Sequence, residues 1–284
     1  MGVVLRAAPR IRPAADAEVP LAVEALRRSG FSGDGIVRLL EYPRRSEHGI
    51  VVLADGRHRP DGVVCCASFG ATGWIGALGV LPGARRRGLG TALTETACRW
   101  LHDRGAQTVL LYATDMGRPV YERLGFVAEG PATAWRGVAG EDAGSVGAPT
   151  LRPLTEADRP GLRAVDAAAT GETRDVMLDA VVPLHGMGAA GPDGALSGWA
   201  MTSPWGTGAA VTATDPDAGL TLLAGTLRGP LPSTLVLPDG NEAARRALRH
   251  WGFARLNSAE RMRLGPALTW RPERQFGLFN LFWG

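Results

Sequence analysis

The stretch VLPGARRRGLGTAL, residues 80–93, sets Arg85, Arg86 and Arg87 beside Gly88 and Gly90, where a strand-like run gives way to a helix-like one. The first amides of a helix lack intrahelical partners and carry the positive end of its dipole, so a glycine-lined entry of this kind suits a phosphate. Glycine lets the backbone approach such a ligand, and arginine adds charge. A Walker A loop needs lysine after its second glycine. Here Leu89 follows Gly83 to Gly88, and the chain contains no lysine, which excludes an ordinary P-loop. The run GMGAAG, residues 186–191, spells GxGxxG, but Pro192, Asp193 and Gly194 stand where a helix should open. It reads as a loop rather than a dinucleotide site. HExxH, CxxC and GxSxG do not occur, so the sequence makes no case for a zinc site or a serine hydrolase.

Positioning these groups requires strands and helices in a definite order. Apolar, β-branched runs predict strands near residues 3–12, 50–54, 62–69, 73–81, 108–113 and 126–137. Helices are predicted at 19–29, with Pro20 near its start and Gly30 past its end, at 90–104, and at 118–124 before Gly125. The uncharged run 62–84 is long enough to span a bilayer, but its glycines and the ATG break at 71–73 read as a hairpin. Strand pairs interleaved with helices give an α+β fold.

The pattern occurs twice. IRPAADAEVPLAVEAL at Ile11 matches LRPLTEADRPGLRAVDA at Leu151, with Arg12, Pro13 and Pro20 falling on Arg152, Pro153 and Pro160. RPVYERLGF and RRALRHWGF close the two halves alike. The counterpart of the arginine loop is DPDAGLTLLAGTL at Asp215, where the arginines and one glycine are gone. The division expected is a first domain over 1–139, a small polar linker over 140–149, a second domain over 150–266 and an apolar segment over 267–284 that docks on the body.

Arg85-x-x-Gly88-x-Gly90 after a strand, followed by a helix and by a Tyr121-x-x-x-Gly125-Phe126 ending, resembles the GNAT superfamily of N-acetyltransferases. The likeness runs from about Leu5 to Gly137. The whole chain resembles the bacterial tandem type, in which a degenerate second half follows a catalytic one. That resemblance implies two acetyltransferase-like folds, each a mixed, mostly antiparallel sheet flanked by helices, with acetyl-CoA as cofactor. It assigns Arg85, Arg86, Arg87, Gly88, Leu89, Gly90 and Thr91 to the pyrophosphate, and Leu78, Gly79 and Val80 to pantetheine and thioester, with Gly76 and Gly79 easing backbone approach. Thr114, Gly117 and Pro119 join the cofactor set, and Tyr121 becomes the general acid. The element Asp166-x4-Gly171-x2-Arg174-x3-Leu178 matches the opening of the tandem type's second half, which is expected to lack a cofactor site. Phe31, Asp166, Arg174, His185, Trp199 and Met201 are the expected substrate contacts, with Trp205 in the same apolar cluster; core packing is the competing role for His185, Trp199, Met201 and Trp205. The fourth strand, WIGALGV, carries no carboxylate where many relatives keep one, which leaves Glu41, Glu47, His48 and Asp115, or a water relay, for the base.

The activity implied is acetyl transfer to the amine of a small molecule held between the halves, by direct attack in a ternary complex. The competing reading is a non-catalytic acyl-CoA sensor or interaction module. A formal charge of +3 over 284 residues, with no basic stripe interleaved by aromatics, argues against nucleic acid. Three cysteines, two of them adjacent, make no disulfide scaffold and suit a reducing cytoplasm. No targeting or membrane segment is expected. Pairing of the two halves could replace a dimer, so a monomer is preferred.

Overall fold

The computed structural model describes residues 10–31, 36–37, 40–41, 46–139, 149–181, 186–191, 194–202 and 209–284. The first half contains β1 (Ile11–Pro13), α1 (Val19–Ser29), β2 (Gly49–Ala54), β3 (Gly62–Phe69), β4 (Thr72–Val80), α2 (Leu89–His102), β5 (Thr108–Ala113), α3 (Arg118–Arg123) and β6 (Val127–Gly137). The second contains β7 (Leu151–Pro153), α4 (Arg159–Thr170), α5 (Asp175–Val181), β8 (Met187–Ala190), β9 (Leu196–Thr202), β10 (Ala209–Ala213), α6 (Pro216–Leu227), β11 (Ser233–Pro238), α7 (Glu242–His250), β12 (Ala254–Leu264) and β13 (Gln275–Gly277). The run at 62–84 is the expected hairpin of β3 and β4.

The internal repeat is a repeat of structure. Arg12 reaches both carboxylate oxygens of Glu18 at 2.7 Å, and Arg152 reaches those of Asp158 at 2.8 and 2.6 Å. Each arginine thereby clips a short strand to the turn that opens the next helix, and each helix has proline at its start. Both end on left-handed glycines, Gly30 and Gly171.

Two sheets result. One has eight strands in the order β1-β2-β3-β4-β5-β12-β6-β11; the other has five, β13-β10-β9-β8-β7. Among the described strands only β4 and β5 pair in parallel. The halves are not separately closed: β12 inserts between β5 and β6, and β6 in turn pairs with β11. Each half thus lends its last long strand to the other, and the ladder bonds of β6 and β12 are satisfied only in the joined molecule.

GMGAAG departs from expectation, because Met187–Ala190 is a strand between β7 and β9 rather than a loop. Its small residues are what allow it. A Cβ at Gly188 would lie 2.7 Å from Leu196 Cδ1 and 2.9 Å from Leu154 Cδ2, so cross-strand packing overrides the weak strand propensity of glycine and alanine. The expected strand over 3–12 is seen only at Ile11–Pro13, its earlier part lying outside the described residues. Adjacent Cys65 and Cys66 point into different apolar clusters on the two faces of the large sheet, and all three cysteines are free and buried.

Candidate active site

The arginine loop enters α2 with its backbone open. Gly88 is left-handed at φ 79° and no side chain caps the helix. The first intrahelical bond runs from Ala92 N to Gly88 O at 3.0 Å, which leaves the amides of Leu89, Gly90 and Thr91 ahead of it. Arg86 is the one described non-glycine residue at positive φ, 60°. Left-handed residues beside extended or helical neighbours turn successive N–H groups inward, and such concavities bind anions. Arg86, Arg87 and Gly88 are exposed. Arg85 instead faces the body of the protein, where its Nε donates to Val80 O at 3.0 Å and its Nη2 to Ser29 O at 2.8 Å. It ties the end of β4 to the end of α1 and so fixes where the loop begins.

β4 and β5 pair only from Thr72↔Thr108 to Ile75↔Leu111, and from Gly76 onward no ladder joins them. Against β3 the register shifts between Val63 and Cys65, which face Gly79 and Gly76, so β4 carries an extra residue at Ala77–Leu78. A bulge of this kind bends its strand. Leu81 N bonds Asp61 O at 2.9 Å, and alternation along the strand turns the amide of Val80 away from β3, toward the side β5 has left. The split therefore exposes the backbone donor of Val80, beside the bulge and next to the helix entry.

Gly76 and Gly79 also admit close packing on the side where a Cβ would stand. A Cβ at Gly79 would lie 2.3 Å from Ser29 Oγ and 3.2 Å from Leu26 Cδ2; one at Gly76 would lie 3.0 Å from Phe282 Cβ and 3.2 Å from Trp283 Cη2. Gly79→Ala is accordingly expected to cost ~1–3 kcal/mol by overpacking, read as a lower urea midpoint, and Ser29→Gly in the same chain should restore most of it. A neutral single variant would overturn this account of the α1–β4 contact.

Tyr121 lies in α3, on the face of the sheet that also carries Leu89 and Ile75. A Cβ at Gly90 would lie 3.9 Å from both methyls of Val120, which brings the start of α2 beside α3. Helix α3 begins at Gly117, with Pro119 in its first turn, and Thr114 O accepts from the amides of Gly117 and Arg118 at 2.9 Å. Tyr121 is buried, its ring edge-on to Phe126 at 5.8 Å, and a Cβ at Gly117 would come within 3.2 Å of its Cε2. Among the described residues none hydrogen-bonds its hydroxyl. Burial pushes the phenol above the ordinary tyrosine range, with Cys98 adding to the shift, so it holds its proton through neutral pH.

The opposite face of the split is covered by α1 together with the second half. Asp166 and Arg174, expected at a substrate, form a buried bidentate pair at 3.0 and 2.7 Å, and Arg174 Nη1 donates to Trp283 O at 2.9 Å. Trp199 and Met201 are buried in the same core as Phe279 and Trp283, with Trp199 and Phe279 rings 5.7 Å apart. Phe31 is half-buried beside Phe282, ring to ring 5.9 Å. His185 and Trp205 lie outside the described residues. Sequence reasoning missed Glu172. Its Oε2 accepts from Thr72 Oγ1 and Trp74 Nε1, both at 2.9 Å, and burial raises its carboxyl. It pins the second half to β4, and only the fold brings it there.

The candidate bases scatter. The register Gly49↔Ala67 and Ala67↔Trp74 carries Glu47 and His48 to the closed end of the sheet, where they lie 3.6 Å apart. Glu41 is exposed, and exposed Asp115 follows β5 at the open end. A cleft of about 460 Å³ also lies at the closed end, lined by Thr72, Thr108, Glu172 and Asp175 among others, away from the loop and Tyr121.

In the second half the equivalent helix entry is occupied by its own chain: Asp215 caps α6, its Oδ1 accepting from Ala218 N at 2.8 Å. A carboxylate there both satisfies the amide and repels an anion. Helix α7 ends like α3, with Phe253 N on Leu248 O at 2.9 Å as Phe126 N is on Tyr121 O at 3.0 Å, so leucine stands where the first half has its tyrosine. Among the described residues no helix is long and apolar enough to cross a membrane, and no metal-ligating group of three or more occurs.

Residues 23–126 match the profile of the acetyltransferase (GNAT) family. The chain is similar in fold to a candidate acetyltransferase of Pyrococcus horikoshii, at 19% identity and a TM-score of 0.81 over 100% of this chain and 99% of that one. It is similar to a GCN5-related N-acetyltransferase of Sphaerobacter thermophilus, at 16% identity and a TM-score of 0.63 over 92% and 98%. A tandem GNAT protein from the clavulanic acid biosynthesis pathway aligns at 15% identity and a TM-score of 0.56 over 92% and 100%. No protein of curated function matches the sequence.

Proposed function

We propose that the protein transfers an acetyl group from acetyl-CoA to the amine of a small molecule, by direct attack at the split between β4 and β5; the match of residues 23–126 to the acetyltransferase (GNAT) profile supports this reading. The observation that carries this reading is the joint presence of an open helix entry at Gly88–Thr91 and a buried, protonated Tyr121 on the same face of the split sheet. The residues fit the cofactor. Arg86, Arg87 and the amides of Leu89, Gly90 and Thr91 would hold its pyrophosphate, and the bulged backbone at Leu78–Val80 would hold its pantetheine arm and polarise the thioester carbonyl. Thr114, Gly117 and Pro119 would border the arm from the α3 side.

Acetyl-CoA supplies the activated acetyl group. Tyr121 Oη would give its proton to the departing sulfur, and the phenolate would regain one, through solvent, from the nitrogen that has attacked the thioester. Direct transfer is favoured over an acyl-cysteine route. Burial pushes Cys98 up to about 12 and raises Cys65 and Cys66 as well, and a thiol without thiolate character is a poor nucleophile. The second half would act as a wall and a brace, with the acceptor entering between it and β4. A single chain with its two halves paired would function as a monomer.

Release of free thiol from acetyl-CoA, measured across small primary amines, tests the proposal. Amine-dependent release is the expected result. Saturable acetyl-CoA binding with no release from any acceptor would favour instead a sensor that binds the cofactor without turnover.

A further inference from the structure

The two faces of the split differ in kind. One carries the loop, Leu89 and Tyr121. The other carries Trp74 and is covered from the second half by the segment ending in Phe282 and Trp283. Gly76 is the first residue of β4 beyond its last pair with β5, and the position of its missing Cβ lies 3.0 Å from Phe282 Cβ, 3.1 Å from Phe282 Cδ1 and 3.2 Å from Trp283 Cη2. An acceptor approaching the thioester from the face opposite the cofactor loop therefore passes Phe282. The segment is held in place: Asn280 Oδ1 accepts from the amides of Phe282 and Trp283 at 2.6 and 2.9 Å, and Arg174 anchors the Trp283 carbonyl. Trp283 is fully buried, whereas Phe282 and Phe31 are half-buried and face one another at 5.9 Å. Two partly open aromatic rings, fixed by buried polar anchors, make a pre-organised apolar wall beside the reacting centre.

We infer that Phe282, with Phe31 beside it, determines acceptor specificity, and that the acceptor carries an apolar or aromatic group next to its amine rather than further cationic groups. This rests on the acetyltransferase reading of the same site. A phenyl group laid on both rings would bury apolar surface and gain ring–ring contact, while a second ammonium would exchange its hydration for the weaker cation–π attraction of phenylalanine faces. The test measures binding and turnover separately. Calorimetry on the full chain saturated with coenzyme A would compare 2-phenylethylamine with putrescine, in the wild type, Phe282→Ala and Phe31→Ala; thiol release from acetyl-CoA would be followed with the same amines. The aromatic amine is expected to bind at least about tenfold more tightly, and either substitution to remove most of that preference without changing coenzyme A affinity. Equal or tighter putrescine binding, binding of neither amine, or a preference that survives both substitutions would overturn the inference. A preference in binding without thiol release would leave the wall supported and count against acetyl transfer.

Discussion

Tyr121→Phe is expected to lower kcat by about 10²- to 10⁴-fold, the range general acids contribute, while leaving acetyl-CoA affinity unchanged. The ring contacts survive the change: phenylalanine retains the edge-on contact with Phe126 and fits beside Gly117 as tyrosine does. What is lost is the hydroxyl, which no described residue holds, so the loss falls on turnover and not on a structural hydrogen bond. The pH dependence follows from the direction of the shift. Burial raises the phenol above its ordinary value near 10, so Tyr121 remains an acid throughout the range in which most acceptor amines titrate. The wild-type rate should rise with pH as the acceptor loses its proton, and no alkaline limb belonging to Tyr121 should appear below about pH 10. Single-turnover rates and acetyl-CoA binding, measured side by side for both proteins, decide the matter. Weakened cofactor binding with unchanged turnover, or an alkaline limb near neutral pH that vanishes in the variant, would remove Tyr121 from its role.

How much of this was legible in the sequence depends on the range of the interaction concerned. Helix ends are local, and Gly30, Gly125 and Gly252 stop helices by the left-handed turns their positions suggest. The loop at Arg85–Thr91 was legible for the same reason, because an open helix entry is written in a handful of adjacent residues. So was the loss of the loop at Asp215, although only the structure shows a carboxylate seated on the amide an anion would use. The strand exchange was not legible. β12 and a strand ending the second half's own sheet would have the same alternation, and nothing local to 254–264 states that its partners are β5 and β6. Glu172 was missed likewise, since its bonds to Thr72 and Trp74 span about a hundred residues. The packing at Gly79 was not legible, because its neighbour comes from a distant helix. A bare Cα permits close approach by anything, and here it admits Ser29.

The largest effect on stability is expected at Arg174. Its guanidinium is 2% exposed and Asp166 is 1% exposed, so Arg174→Ala leaves a carboxylate buried without its cation, at a cost of ~3–5 kcal/mol. The Trp283 carbonyl loses its donor as well, and the segment that packs on Gly76 loses an anchor. Desolvation makes the buried pair a poor source of net stability, so Asp166→Leu combined with Arg174→Met should recover most of the loss. The double variant should nevertheless fail to recover the acceptor KM, because Trp283 O still lacks the bond from Arg174, while acetyl-CoA affinity stays as in the wild type, its proposed site at Gly88–Thr91 lying on the far face. Urea unfolding of the two variants, followed by the KM for one amine, separates the two roles. A single substitution costing under about 1 kcal/mol would mean that Asp166 reaches water or another cation. A double variant with a normal KM would show that the segment ending in Phe282 and Trp283 is held over β4 by its apolar contacts alone.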